Sequence, residues 1–193
     1  MAAQVTRIIF FLLLFKNLMA QDPAKPFIHK NLTRATLTFG TGYMPQSDLT
    51  NVYLCSDLEY YTGNKISLRG ENFIFLNSLN KERNLIINNG IFAGPLYHVT
   101  TGSHFDPYMG ILTGLSLTET QEKSTLDPNY FIRSGYGYNP LFSVLAGFNY
   151  YATRYFHLFI NGRWVGGTHL SRTNTPFSLN EFRFSFGLGF NVF

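Results

Sequence analysis

Twelve residues near the C-terminus alternate without a break. From Glu181 to Val192 the even positions are Phe182, Phe184, Phe186, Leu188, Phe190 and Val192, and the odd ones are Glu181, Arg183, Ser185, Gly187, Gly189 and Asn191. A period of two puts successive side chains on opposite faces of a β-strand, here one face apolar and the other polar. Strands of globular proteins usually stop at about 5–6 residues. A strand crossing lipid at a tilt needs about 9–11 residues with its apolar side outward. This segment therefore constrains the chain to a β-fold that faces lipid or a long packed sheet.

The rest of the sequence extends that reading. Aromatics make up 17% of the chain beside 17 glycines, which favours strands and close backbone approaches over a helical bundle. Seven further strands are predicted at 33–44, 50–61, 65–77, 88–100, 105–118, 140–153 and 155–170. Their connections alternate in length. Thr62-Gly63-Asn64, Thr101-Gly102-Ser103 and Ala152-Thr153-Arg154 read as tight turns, whereas 44–49, 78–87, 119–139 and 171–178 read as longer loops. With both termini on one side, all the short turns fall on that side and all the longer loops on the other. That asymmetry is the pattern of a bacterial outer-membrane barrel, with periplasmic turns and extracellular loops. The predicted fold is all-β, an eight-stranded antiparallel transmembrane β-barrel over residues 21–193.

The first residues read as an address. Arg7 precedes the apolar run 8–15, and the stretch ending Leu18-Met19-Ala20 gives way to Gln21-Asp22-Pro23. This pattern predicts a signal peptide over residues 1–20, hence export. Its apolar run would reach only about 12 Å as a helix at ~1.5 Å per residue, against a hydrocarbon core of roughly 30 Å. Without Arg7 and Lys16, 13 basic residues face 11 acidic ones, and the basic residues are scattered. A nucleic-acid partner is disfavoured by that distribution. Lone Cys55 forms no internal disulfide and belongs to no zinc-like cluster, so no metal and no cofactor is expected.

The chain from Gln21 to Phe193 resembles the small eight-stranded outer-membrane barrels of the OmpX/OmpW/OmpA-barrel group. Its ending FRFSFGLGFNVF is similar to the aromatic-terminated last strand that the barrel-assembly machinery recognises in that class. The start AQD and the segment LNEFRFSFGLGF also resemble barrels of Bacteroidota. The resemblance implies an integral protein of the Gram-negative outer membrane, partnered by lipid, lipopolysaccharide and the assembly machinery, and open to docking with a larger outer-membrane complex.

Parity then assigns faces. The inner side is predicted to carry Asp57, Glu59, Glu71 and Glu181 together with Arg69, Arg163 and Arg183. Tyr53, Tyr61, Phe73 and Tyr151 share that face. Eight strands enclose an interior just wide enough for side chains, so these groups are expected to form an ionic network that fills the lumen. A narrow pore for small solutes is the competing reading. A second competing reading is an esterase: His169-Leu170-Ser171 with Glu181 resembles the His-x-Ser … Glu set of the lipid A 3-O-deacylase family. By that resemblance Ser171 would be the nucleophile, His169 the base and Glu181 its orienter. Against it, Arg172 stands where that family has an Asn, and parity turns His169 and Glu181 toward the lumen. The primary expectation is therefore a non-enzyme. In the loop 119–139, Phe131, Arg133, Tyr136 and Tyr138 are candidates for recognition of a partner or of lipopolysaccharide headgroups, since solvated aromatics are costly unless packed.

Overall fold

The computed structural model describes residues 27–79, 85–99, 103–123, 131–169 and 177–192. The predicted leader and Ser171 lie outside them. Eight long strands close into one antiparallel barrel: β1 (Thr33–Met44), β2 (Leu49–Tyr61), β3 (Ile66–Ser78), β4 (Leu85–His98), β5 (Phe105–Lys123), β7 (Gly137–Tyr151), β8 (Phe156–Gly166) and β11 (Glu181–Val192). Each pairs with the next, and the ring is completed where β11 pairs with β1. Short β6 (Phe131–Arg133) continues the ladder on β5, and β9 (Thr168–His169) pairs with β10 (Phe177–Ser178) beyond the barrel.

The alternation that predicted the strands also sets their faces. Phe182, Phe184, Phe186, Leu188, Phe190 and Val192 all point outward from β11, and the same parity exposes Leu37 and Phe39 on β1, Leu58 on β2, Leu68 on β3, Ile91 on β4 and Ile111 on β5. An apolar belt running around the whole ring far exceeds the few hundred Å² of contiguous apolar patch that soluble monomers tolerate. On β3 the parity changes once. Tyr53 pairs with Phe75 while Val52 pairs with Asn77, so Leu76 is an extra residue at a bulge and Ser78 turns inward.

The two ends of the barrel differ. At the turn end, the chain preceding β1 crosses the mouth: Leu32 and Ile28 are buried against Tyr61 and Tyr151, and Phe27 stacks on Tyr151 at 5.5 Å between ring centroids. Two backbone bonds, Asn31 N–H to Tyr61 and Tyr61 N–H to Leu32, tie this segment to β2. At the loop end, Met44, Leu49, Leu85, Leu141, Val165 and Leu179 form an apolar seal over the interior.

The prediction of 119–139 as one long loop is corrected. β5 continues to Lys123 and β7 begins at Gly137, with Gln121 to Lys123 pairing Phe131 to Arg133. The apolar period ends where the strands leave the belt, but hydrogen bonding continues above it. Backbone pairing needs no hydrophobic period, so this extension leaves no alternating pattern to read.

Candidate functional site

The lumen is the site that the fold builds. Glu59 on β2 is its hub at the turn end, fully buried. It accepts hydrogen bonds from Arg34 Nη2 at 2.6 Å, Arg69 Nε at 2.8 Å and the Ser67 hydroxyl at 2.5 Å, and His98 Nε2 stands at 2.9 Å. The second ring nitrogen of His98 lies 2.8 Å from Asp106. An imidazole donates from both nitrogens only as the imidazolium, so this pair of carboxylates is matched to that form. Asp106 also accepts from Asn149 at 2.9 Å, Tyr61 at 3.0 Å and Tyr151 at 3.3 Å.

A second tier lies toward the loop end. Arg163 donates to Glu71 at 2.6 Å and Arg69 reaches the same carboxylate at 3.5 Å. Glu181 accepts from Asn51 at 2.7 Å, Tyr53 at 2.8 Å and Arg183 Nε at 2.7 Å. The guanidinium groups also stack on rings. Arg163 and Arg183 lie 4.8 and 4.7 Å from the Phe73 centroid, and Arg69 lies 4.6 Å from that of Tyr108. Asp57 accepts a hydrogen bond from Thr36. A glycine makes room for this tier: a Cβ at Gly42, on the inner face of β1, would collide with the Glu181 carboxylate.

Two of these ion pairs join opposite walls. In the ring order, β3 faces β8 and β1 faces β5, four strands apart. Glu71–Arg163 and Arg34–Asp106, the latter at 3.4 Å, therefore span the full diameter at two levels. Inside the barrel, a cavity bordered by Asp57, Glu71 and Arg163 measures about 10 Å³, room for roughly one water.

All seven predicted lumen residues line this interior, and all but the half-buried Asp57 are buried. Arg34, His98 and Asp106 also belong to the network, and the sequence reading missed them. The signal was available: on β1 and β5 the same parity puts Arg34 and Asp106 on the inner face. The lumen is also less uniformly polar than predicted, because β4, β5 and β7 bring Leu96, Leu112 and Leu145 to it. Among the described residues no group of three or more His, Cys, Asp or Glu could hold a metal.

Of the esterase set, His169 and Glu181 are not brought together. Glu181 is committed to Asn51, Tyr53 and Arg183. His169 Nδ1 lies 2.6 Å from the Thr118 hydroxyl, itself held by Asn139, and its Nε2 lies 3.2 Å from the Ser134 hydroxyl. Burial pushes the His169 imidazole below its ordinary range, toward the neutral form. Of the recognition candidates, Phe131 and Arg133 lie on β6, Tyr136 just before β7, and Tyr138 on β7, paired with Leu117. All are exposed, Tyr138 most at 78%, so they do not fold over the mouth as an irregular loop would.

No family model matches the sequence, and no curated protein matches it at a significant level. Solved structures do. The N-terminal β-barrel domain of Pseudomonas aeruginosa OprF aligns over 84% of this chain and 98% of its own, at 18% identity and a TM-score of 0.53. Neisserial surface protein A aligns over 82% and 95%, at 16% identity and 0.60. The outer membrane protein OprG of P. aeruginosa aligns over 87% and 99%, at 10% identity and 0.59. At these identities the likeness is one of fold, and by that measure the chain has the closed, eight-stranded antiparallel β-barrel architecture of small outer-membrane proteins.

Proposed function

We propose that this chain is an integral outer-membrane barrel with a permanently filled lumen, acting as a structural or accessory subunit and neither as a pore nor as an enzyme. The observation that carries this reading is the pair of ion pairs that cross the full diameter at two levels, Glu71–Arg163 and Arg34–Asp106. A solute path would have to break both, and breaking a buried pair costs about 3–5 kcal/mol. The outward, mostly apolar belt supports the membrane setting, and the likeness in fold to outer-membrane proteins agrees with it.

On this reading the C-terminal strand engages the barrel-assembly machinery, and Phe131, Arg133, Tyr136 and Tyr138 meet lipopolysaccharide headgroups or a larger outer-membrane complex. Planar-bilayer recording tests the first half. Only brief, irregular current steps are expected, and a large stable conductance would refute a filled lumen. Affinity purification from native membranes in mild detergent tests the second. Co-purifying membrane proteins are expected, their recovery reduced when Phe131, Tyr136 and Tyr138 are replaced together by Ser. Loss of a lipid A acyl chain in expressing cells, abolished by Ser171→Ala, would replace this reading with the esterase.

A further inference from the structure

Outside the lumen, the turn end of the barrel carries charge of one sign. Its segments 27–33, 61–66, 98–105 and 151–156 contain Lys30, Lys65 and Arg154 and no Asp or Glu. Lys30 and Lys65 flank the end of β2, and the fold holds both in place. Lys30 lies between the buried Ile28 and Leu32, and the Lys65 carbonyl accepts the His98 N–H at 2.8 Å. Both lysines are exposed, and among the described residues neither has an ion-pair partner. Glu59, the last acid of β2, is turned into the lumen and committed to Arg34 and Arg69.

Tyr60, on β2 between β1 and β3, points outward, and its hydroxyl donates to Asn31 Oδ1 at 2.8 Å. Asn31 has a φ of 73°, in the left-handed region that Asn tolerates better than most residues, and its backbone N–H is bound to the Tyr61 carbonyl. The nitrogen of the Asn31 amide, with two donors, has no partner among the described residues. Two ammonium groups and an amide nitrogen thus gather at one corner, all of them donors. Outward Tyr60, Tyr97 and Tyr155 place the lipid–water boundary at this level, where aromatic girdles lie. On the membrane side of the corner the wall is apolar and shallow, with Tyr60 paired to Leu68 and Leu58 paired to Gly70.

We propose that the corner formed by Lys30, Asn31, Tyr60 and Lys65 binds the phosphate of an anionic phospholipid in the leaflet at the turn end, with an acyl chain lying along Leu68, Gly70 and Leu58. Ionised phosphate oxygens only accept, so they match a set made of donors, two of them charged. The net charge of the lipid matters as well as its phosphate. No carboxylate stands at this end to pair the ammonium of a zwitterionic headgroup, so that ammonium would meet only like charge. Each lysine near an anionic lipid surface is worth about a fivefold gain in affinity, and two give roughly twenty-fivefold.

The inference rests on the membrane reading, and the test separates the two. The detergent-refolded protein is incubated with equal amounts of dioleoyl phosphatidylglycerol and dioleoyl phosphatidylcholine, and the lipid it retains is counted by native mass spectrometry. Phosphatidylglycerol is expected to exceed phosphatidylcholine roughly twenty-fivefold. Lys30→Gln or Lys65→Gln alone should lower that ratio about fivefold, and the two together should bring it to about one. Asn31→Gly, which suits the same backbone conformation and removes the amide, should lower it as well. Lys123→Gln, which removes the same charge at the loop end of β5, should leave it unchanged. Heat-modifiable migration checks that each variant is folded. A ratio near one in the parent, or an undiminished ratio in the double variant, would overturn the site. So would displacement of phosphatidylglycerol by an equal concentration of inorganic phosphate, which marks a free-anion site, or preferential retention of lipid A through the same lysines. Recovery of the parent outside the membrane fraction of expressing cells would instead overturn the membrane reading itself.

Discussion

Removing Arg163 tests whether the lumen network holds the barrel together. In Arg163→Ala, Glu71 loses the guanidinium that crosses the barrel to it and keeps only Arg69, at 3.5 Å. Deleting one member of a buried pair costs about 3–5 kcal/mol because the other charge stays behind. Arg69 remains to share that charge, so the lower end applies, about 3 kcal/mol, or roughly a hundredfold in the unfolding equilibrium. Replacing both partners by apolar residues of similar volume, Glu71→Leu with Arg163→Met, leaves no uncompensated charge and should stay within about 1 kcal/mol of the parent. Trp164, the single tryptophan, sits on the outer face of β8 and reports unfolding by fluorescence in urea titrations of the detergent-refolded protein. Far-UV circular dichroism checks that the neighbouring substitution has not altered the reporter. The reasoning fails if the Ala variant loses less than about 1 kcal/mol, or if the double variant loses as much as the two single ones added together. Arg163→Ala should also stay non-conducting, because Arg34–Asp106 still closes the lower level.

Gly42→Ala should destabilise the barrel by about 1–3 kcal/mol in the same titration, since the added methyl displaces the Glu181 carboxylate from Asn51 and Tyr53. Leu32→Ala, in the segment across the turn-end mouth, should cost about 2 kcal/mol, at the low end for a buried leucine, and should raise amide exchange at Tyr61. Phe186→Arg, at a position 65% exposed at the centre of β11, should cost about 2–4 kcal/mol in phospholipid vesicles. A water-soluble fold would accept that charge freely, so a neutral result in vesicles would count against the lipid-facing assignment.

The eight barrel strands were legible in the sequence because turning one face of each strand inward and an apolar face outward imposes a two-residue period, and two of the three tight turns carry Gly beside Asn or Ser where the chain reverses. β1 and β11 have the predicted limits, and the other strands are shifted by a few residues at most, except where β5 and β8 end. Beyond the belt β5 carries polar residues at both parities, Glu119 and Thr120 both buried, so its extension left no apolar period in residues 119–139. The inner face was legible only as a set of residue types on one parity. Which charge meets which depends on strand order and stagger, quantities that hydrogen bonding around a closed ring fixes and a linear pattern does not contain. Thus Glu71 and Arg163, ninety-two positions apart in the chain, become partners because closure sets β3 opposite β8. By the same logic Arg34 and Asp106, unremarkable on their own strands, become the pair that shuts the turn end, and Glu181 is drawn to Tyr53 and Asn51 and away from His169. The sequence alone determined that the chain would be a barrel with a charged inner face. Closure of the ring decided that those charges cross the lumen and fill it.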